Sequence, residues 1–136
     1  MRAACDVLRR KGHVRVRGLK TYAPNLKEGI AVNRWAESVD EIRTAISKGI
    51  PLSIGVNWYE GFLYPERRGS DYWINIGNRG WIVGGHCVCL YGASDQRQGF
   101  RLKNSWGNSY PEVWISYVIV ERLLNEEGEF ALVTDR

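Results

Sequence analysis

Gly84-Gly85-His86-Cys87-Val88-Cys89-Leu90-Tyr91-Gly92, followed shortly by Leu102-Lys103-Asn104-Ser105-Trp106-Gly107, decides how the rest of the chain is read. The first segment holds one of only two histidines and sets it on a β-branched, apolar run that predicts a buried strand. Gly84 and Gly85 lack side chains just before His86, which leaves room for a ligand or another backbone. Eighteen residues after His86, Asn104 opens a Ser-Trp-Gly turn. A strand, a loop over 93–99 and a returning strand bring Asn104 back beside His86. An imidazole held by an asparagine amide, with an indole nearby to exclude water, supplies two parts of a nucleophilic Cys-His-Asn constellation.

Composition bounds what can surround this pair. The chain has 136 residues, a one-domain length, and six Trp, seven Tyr and three Phe supply core and cleft material. A chain of this size buries roughly two-thirds of its unfolded surface. No apolar run reaches the ~18 residues of a membrane helix, so no membrane partner is expected. The start, Met1-Arg2-Ala3-Ala4-Cys5-Asp6, lacks the apolar run of a signal peptide. Three cysteines is an odd count, and Cys87 and Cys89 on one strand point the same way and are poorly placed to bridge. All three read as reduced thiols in a reducing compartment.

The net charge of +4 is uneven, because residues 1–27 carry eight Lys or Arg against the single acid Asp6. Such a stretch can touch nucleic acid, or it can be a solvated face or meet an acidic partner. No groove-reading motif accompanies it, so nucleic acid is the weaker expectation.

Outward from the central segments, Ala4, Val7 and Leu8 share one face of a helix predicted over 2–11, ended by Arg9-Arg10-Lys11 and Gly12. It starts with no cap or lead-in, as a cut end would. Residues 12–29 are basic and turn-rich and predict an extended connection, so residues 1–29 form a basic N-terminal helix and connection within one domain over 1–136. Ser38-Val39-Asp40-Glu41 is a capping box, and Val39, Ile42, Ala45 and Ile46 then mark a helix over 39–48. Strands follow at Leu52 to Trp58, Ile82 to Tyr91, Phe100 to Lys103, Glu112 to Tyr117 and Phe130 to Val133. Residues 61–80 form a surface excursion with a short strand near Tyr72, and Val118 to Leu124 reads as helical.

The Gly-His-X-Val context of His86 and the Asn104-Ser105-Trp106-Gly107 motif resemble the C-terminal half of a papain-like cysteine peptidase. Pro51 to Asn57 is similar to that family's Gly-Pro-Val-Ser-Val-type strand. Asn57-Trp58-Tyr59-Glu60-Gly61 and the doubled glycine suggest a bacterial or phage branch, and with it a cytoplasmic location in a bacterium or an infected host. The resemblance runs from about Arg2 to Leu124. It implies an α+β fold: a barrel-like, mostly antiparallel sheet with one or two packed helices, bearing the histidine and asparagine of the catalytic set. It also implies His86 as general base and acid, Asn104 as its orienter, Trp106 as a cover, and Gly85 and Trp58 as cleft support. The residues alone leave the plainer readings open: a satisfied core histidine, a turn asparagine and a packed indole. One departure is visible, since the family's second Trp-Gly is here Tyr110-Pro111.

The nucleophile is missing from this pattern. The family's cysteine lies roughly 130–150 residues before its histidine, next to an aromatic. Cys5 precedes His86 by 81 residues and is followed by Asp6-Val7, which predicts a buried helical cysteine. Cys87 is adjacent to His86 and so faces the other side of the strand, with Cys89 beside it, and both read as small core residues. His13 sits in the basic loop without a partner signal. No spacing of His and Cys suits a metal, and no cofactor motif occurs. Three functions compete. One is a papain-like segment inactive alone, acting on peptides or proteins with a separate N-terminal half or through self-association. Another is a non-catalytic peptide- or protein-binding module lined by Trp58, Tyr59, Trp81 and Trp106. The weakest is a basic nucleic-acid-associated protein.

Overall fold

A computed structural model describes residues 2–12, 16–17, 20–21, 23, 27, 29–77 and 80–135. His13, Pro24 and Asn25 of the expected connection lie outside them. Among the described residues there are three α-helices: α1 (Arg2–Lys11), α2 (Val39–Ser47) and α3 (Tyr117–Asn125). The strands are β1 (Val16–Arg17), β2 (Lys20–Thr21), β3 (Ile30–Trp35), β4 (Leu52–Tyr59), β5 (Glu66–Arg68), β6 (Asp71–Ile74), β7 (Ile82–Ser94), β8 (Gly99–Lys103), β9 (Val113–Ser116) and β10 (Glu129–Asp135). A 3₁₀ turn at Glu60–Leu63 follows β4. The fold class is α+β, as expected.

β1 and β2 pair with each other, and the other eight strands form one sheet in the order β3-β10-β4-β7-β8-β9-β6-β5. Every pairing in it is antiparallel except β6 with β9. On β4, Leu52, Ile54, Val56 and Trp58 point into the core while Ser53, Gly55 and Asn57 stay half-buried, the period-two pattern of a strand with one covered face. That face meets α2 through Ile42 and Ala45 and α3 through Val120 and Leu123. The helix α2 begins as a capped helix should: Ser38 Oγ accepts from the Glu41 amide at 3.2 Å, and Glu41 Oε2 accepts from the Glu37 amide at 2.8 Å.

Two features depart from expectation. β3 and β5 were not predicted, and β3 lies at one edge of the sheet, paired with β10. The helix α1 docks near β3 by burying Cys5 and half-burying Leu8, while Ala4 and Val7 stay exposed. The anticipated Ala4-Val7-Leu8 stripe is therefore rotated, because the helix turns the small thiol-bearing residue inward.

The turn at Glu60–Leu63 holds Phe62 in the core with no exposed surface. Gly61 allows it, since a Cβ there would run into the carbonyl oxygens of Asn75 and Ile76, the latter at 2.7 Å. Both obstacles are backbone and cannot swing aside. Gly61→Ala is expected to cost about 1–3 kcal/mol, the range for overpacking, read as a lower urea midpoint at an unchanged denaturant slope.

Candidate active site

Strand register brings the site together. β4 and β7 pair with Val56 opposite His86 and Trp58 opposite Gly84. The Trp58 indole meets the imidazole edge-on, at a centroid distance of 4.8 Å and 75° between planes. β7 and β8 pair Leu90 with Leu102 and Cys89 with Lys103. Continuing that register by one residue sets Asn104 level with Val88, one same-face step from His86. The two side chains meet, with His86 Nε2 and Asn104 Oδ1 2.9 Å apart.

A second bond decides the proton's place. The Ser105 amide donates to the same Asn104 Oδ1 at 2.8 Å, which identifies that atom as the carbonyl oxygen. An oxygen only accepts, so Nε2 carries the hydrogen and donates. In the neutral imidazole Nδ1 then holds the lone pair, and it makes no hydrogen bond among the described residues. Trp106 lies over the ring, nearly parallel at 28° with centroids 4.8 Å apart. Gly107, at φ 77°, makes the turn that aims it. Tyr110 meets the Trp106 ring edge-on at 5.1 Å and donates its hydroxyl to the Phe62 carbonyl at 2.7 Å. Burial pushes the Tyr110 phenol well above its ordinary value, so it remains a donor. Trp58 Nε1 and Asn104 Nδ2 are buried N–H donors without a hydrogen-bond partner among the described residues. Orphan donors of this kind cost about 1–3 kcal/mol each, an expense that collects at functional sites.

A cavity of about 560 Å³ adjoins His86, with Gly85, Asn57, Cys87 and Glu126 among its lining. A Cβ on Gly85 would meet nothing within 4 Å, so the space beside the histidine is open. Glu126 is held by the Tyr59 hydroxyl at 2.6 Å and by Arg122 at 2.8 Å. The structure unites His86, Asn104, Trp106, Trp58 and Gly85. It corrects the expected peptide-facing wall, because Trp58 and Tyr59 are each 2% exposed and serve as backing, whereas Trp81 and Trp106 are open to solvent. It also corrects Cys87, which is exposed rather than a core residue, while Cys89 is half-buried. Cys5 is buried, and burial pushes its thiol up. No group of three or more His, Cys, Asp or Glu among the described residues could hold a metal ion, and no described helix is long and apolar enough to cross a membrane. Tyr110 was flagged in the sequence only as a departure from a motif; its hydroxyl and its ring contact are the part sequence reading missed.

No family model matches the chain. Over 104 residues, 73% of its length, it is 27% identical to a peptidase C1-like protein of Acanthamoeba polyphaga mimivirus. Xylellain, a cysteine protease from Xylella fastidiosa, shares its architecture over 80% of the chain, with a TM-score of 0.59 and 22% identity. The fold is papain-like. The chain spans about a third of the viral relative (33%) and 41% of the Xylella protease. Within this papain-like fold, strand register and the Gly107 turn account for the site's geometry.

The carboxylates of this papain-like fold set its response to acid. Glu112, just before β9, is held below the usual range by the hydroxyl of Tyr91 on β7 and then by Arg101 on β8. Asp95 is lowered by Arg43 and then by Tyr117. Burial alone raises Glu126, but bonds from Tyr59, Arg122 and Asn57 outweigh it and the net direction is down. A carboxylate lowered by folding contributes stability above its unfolded value, about 3.9–4.3, and that contribution is lost as pH falls through the folded value. The urea midpoint should therefore hold from neutrality to about pH 4.5 and fall below it. Glu112→Gln should lower the neutral midpoint and shrink that fall; an unchanged acid limb in the variant would refute the assignment.

Proposed function

We propose that this chain carries the His-Asn part of a papain-like cysteine peptidase, and that the nucleophilic thiol comes from polypeptide outside these 136 residues. The observation that carries the reading is the Nε2–H···Oδ1 bond beneath Trp106, which leaves Nδ1 as the basic atom. In the assembled site Nδ1 takes the thiol proton, and the thiolate adds to a peptide carbonyl. The imidazolium then protonates the leaving amine as the C–N bond breaks, giving a thioester. His86 next deprotonates a water that attacks the thioester, and the thiolate leaves. Asn104 holds the ring through both proton transfers. Alone, the chain turns nothing over, because Cys5 is buried in α1 and Cys87 belongs to the opposite face of β7.

The nucleophile-bearing polypeptide would cover the exposed run Trp81-Ile82-Val83 beside His86. Each such side chain contributes about 1.5–3 kcal/mol if fully buried. A basic N-terminal stretch favours an acidic surface on that polypeptide, and self-association through the same run is the other means of covering it. The reduced cysteines suit a reducing cytoplasm, in a bacterium or a phage-infected host.

The test is reconstitution with the portion of the Xylella protease that the present chain does not match. Hydrolysis of a peptide amide should appear in the mixture and in neither part alone. Covalent labelling of the isolated chain by a thiol-reactive peptidyl inhibitor, abolished by Cys5→Ala, would sink the reading. A second reading, a non-catalytic peptide-binding module, draws on Trp81 and Trp106 at 56% and 41% exposure. Saturable peptide binding to the isolated chain, with no hydrolysis in any mixture, would favour it.

A further inference from the structure

We infer that Tyr110 is a positioning residue for His86: it closes a circuit of contacts that fixes both rings packed on the imidazole. The role it serves rests on the peptidase reading, but the circuit itself does not. Starting from Trp58, the contacts run to His86 at 4.8 Å, from His86 to Trp106 at 4.8 Å, and from Trp106 to Tyr110 at 5.1 Å, all between ring centroids. From Tyr110 the hydroxyl reaches the Phe62 carbonyl at 2.7 Å, and the Phe62 ring returns to Trp58 at 5.0 Å. Two separate segments are thereby joined. One is the end of β4 with its 3₁₀ turn, which carries Trp58 and Phe62. The other is the loop after β8, which carries Asn104, Trp106 and Tyr110.

Trp106 also meets Trp58 directly, edge-on at 5.8 Å between ring centroids, and beyond Asn104 the loop's other bonds among the described residues are internal. The Tyr110 amide bonds the Gly107 carbonyl at 3.3 Å and the Ser109 hydroxyl the Trp106 carbonyl at 3.5 Å, both within the loop itself. Trp106 is 41% exposed, so its own packing leaves much of it to solvent. The bond to the Phe62 carbonyl spans 48 residues and anchors the loop to the backbone of a residue whose own ring has no exposed surface. Pro111 adds stiffness, since its ring sets its own φ and restricts Tyr110 to extended backbone. Tyr110 touches Trp106 and not the imidazole, so it acts through the indole.

The experiment uses the isolated chain, labelled with ¹⁵N-histidine, and needs no nucleophile. Tyr110→Phe keeps the ring and removes the hydroxyl. Tyr64→Phe removes an exposed hydroxyl just beyond the same 3₁₀ turn and is the control. Two readouts follow His86: solvent exchange of the Nε2 proton, and the upfield ring-current displacement of its carbon-bound protons. In Tyr110→Phe, exchange should be about five- to tenfold faster, the change that goes with one hydrogen bond, and the displacement should shrink. Tyr64→Phe should match the parent in both. Equal exchange and equal displacement in the two variants would overturn the inference. A fall in melting temperature without either change would show a structural tie only, and would overturn it equally. Failure of reconstitution would count against the peptidase reading and leave these signals untouched.

Discussion

His86→Ala should lower peptide hydrolysis in the reconstituted enzyme by about 10⁴-fold, the upper range for removing a positioned acid–base group. Asn104→Ala should cost less, about 10²-fold, because it leaves the imidazole present but free to rotate and to hold its proton on the wrong nitrogen. The structure gives the ranking. Asn104 Oδ1 is fixed by the Ser105 amide and bonds Nε2, so its loss removes orientation and tautomer control together. Trp106 and Trp58 still hold the ring in Asn104→Ala, which is why substantial activity should survive. Initial rates on a peptide amide, with the melting curve of each variant as a folding control, give the comparison. Two variants equal to the parent would remove His86 from the chemistry. Asn104→Ala falling as far as His86→Ala would show that the amide does more than orient.

Phe62→Ala should destabilise the chain by about 3–5 kcal/mol, the range for deleting a buried aromatic ring. The ring has no exposed surface and packs edge-on against Trp58 at 5.0 Å and Tyr59 at 5.6 Å. Neither neighbour can collapse into the space easily: Trp58 is held between Phe62 and His86, and the Tyr59 hydroxyl is tied to Glu126. Against a total of about 5–15 kcal/mol this is a large share, and the melting temperature should fall by roughly 10 °C or more. Phe62→Leu should recover most of the loss, since it restores volume. Urea unfolding of the three proteins measures both differences. A loss under about 1.5 kcal/mol for the alanine variant would mean that the aromatic cage closes over the gap.

The site was legible in the sequence to the extent that local geometry builds it. His86 and Asn104 are joined through one hairpin, so strand period and loop length suffice to place them. The helix α2 was legible because Ser38, Glu41 and Gly49 mark its ends chemically. β3 was not, since its partner β10 lies at the other end of the chain and its exposed Ala31 and Val32 break the alternation that marks a strand. β5, Glu66-Arg67-Arg68, is polar and exposed throughout and presents no apolar period at all. The face α1 buries depends on where the helix docks, so periodicity found an apolar stripe but chose Val7 where docking chose Cys5. Depth was the hardest quantity to read. Trp58 and Tyr59 are aromatic near a cleft motif, yet sheet packing puts them behind the histidine rather than before a ligand. The tie from Tyr110 to a backbone carbonyl of a distant turn has no signature in residue type.

The irregularity between Leu90 and Gly92, where Tyr91 is the extra residue of β7 against β8, divides the hairpin into two independently phased parts. On the site side of it the ladder is plain, and a one-residue insertion between His86 and Cys89 would turn the imidazole to the opposite face from Asn104. On the far side, the turn at 95–98 can change length without altering which way either side chain points. Divergent chains of this architecture are thus free to grow or shrink at that tip, whereas spacing between histidine and bulge admits changes only in pairs. Loop length and the His86–Asn104 geometry are uncoupled here by one tyrosine that the ladder leaves without a cross-strand partner.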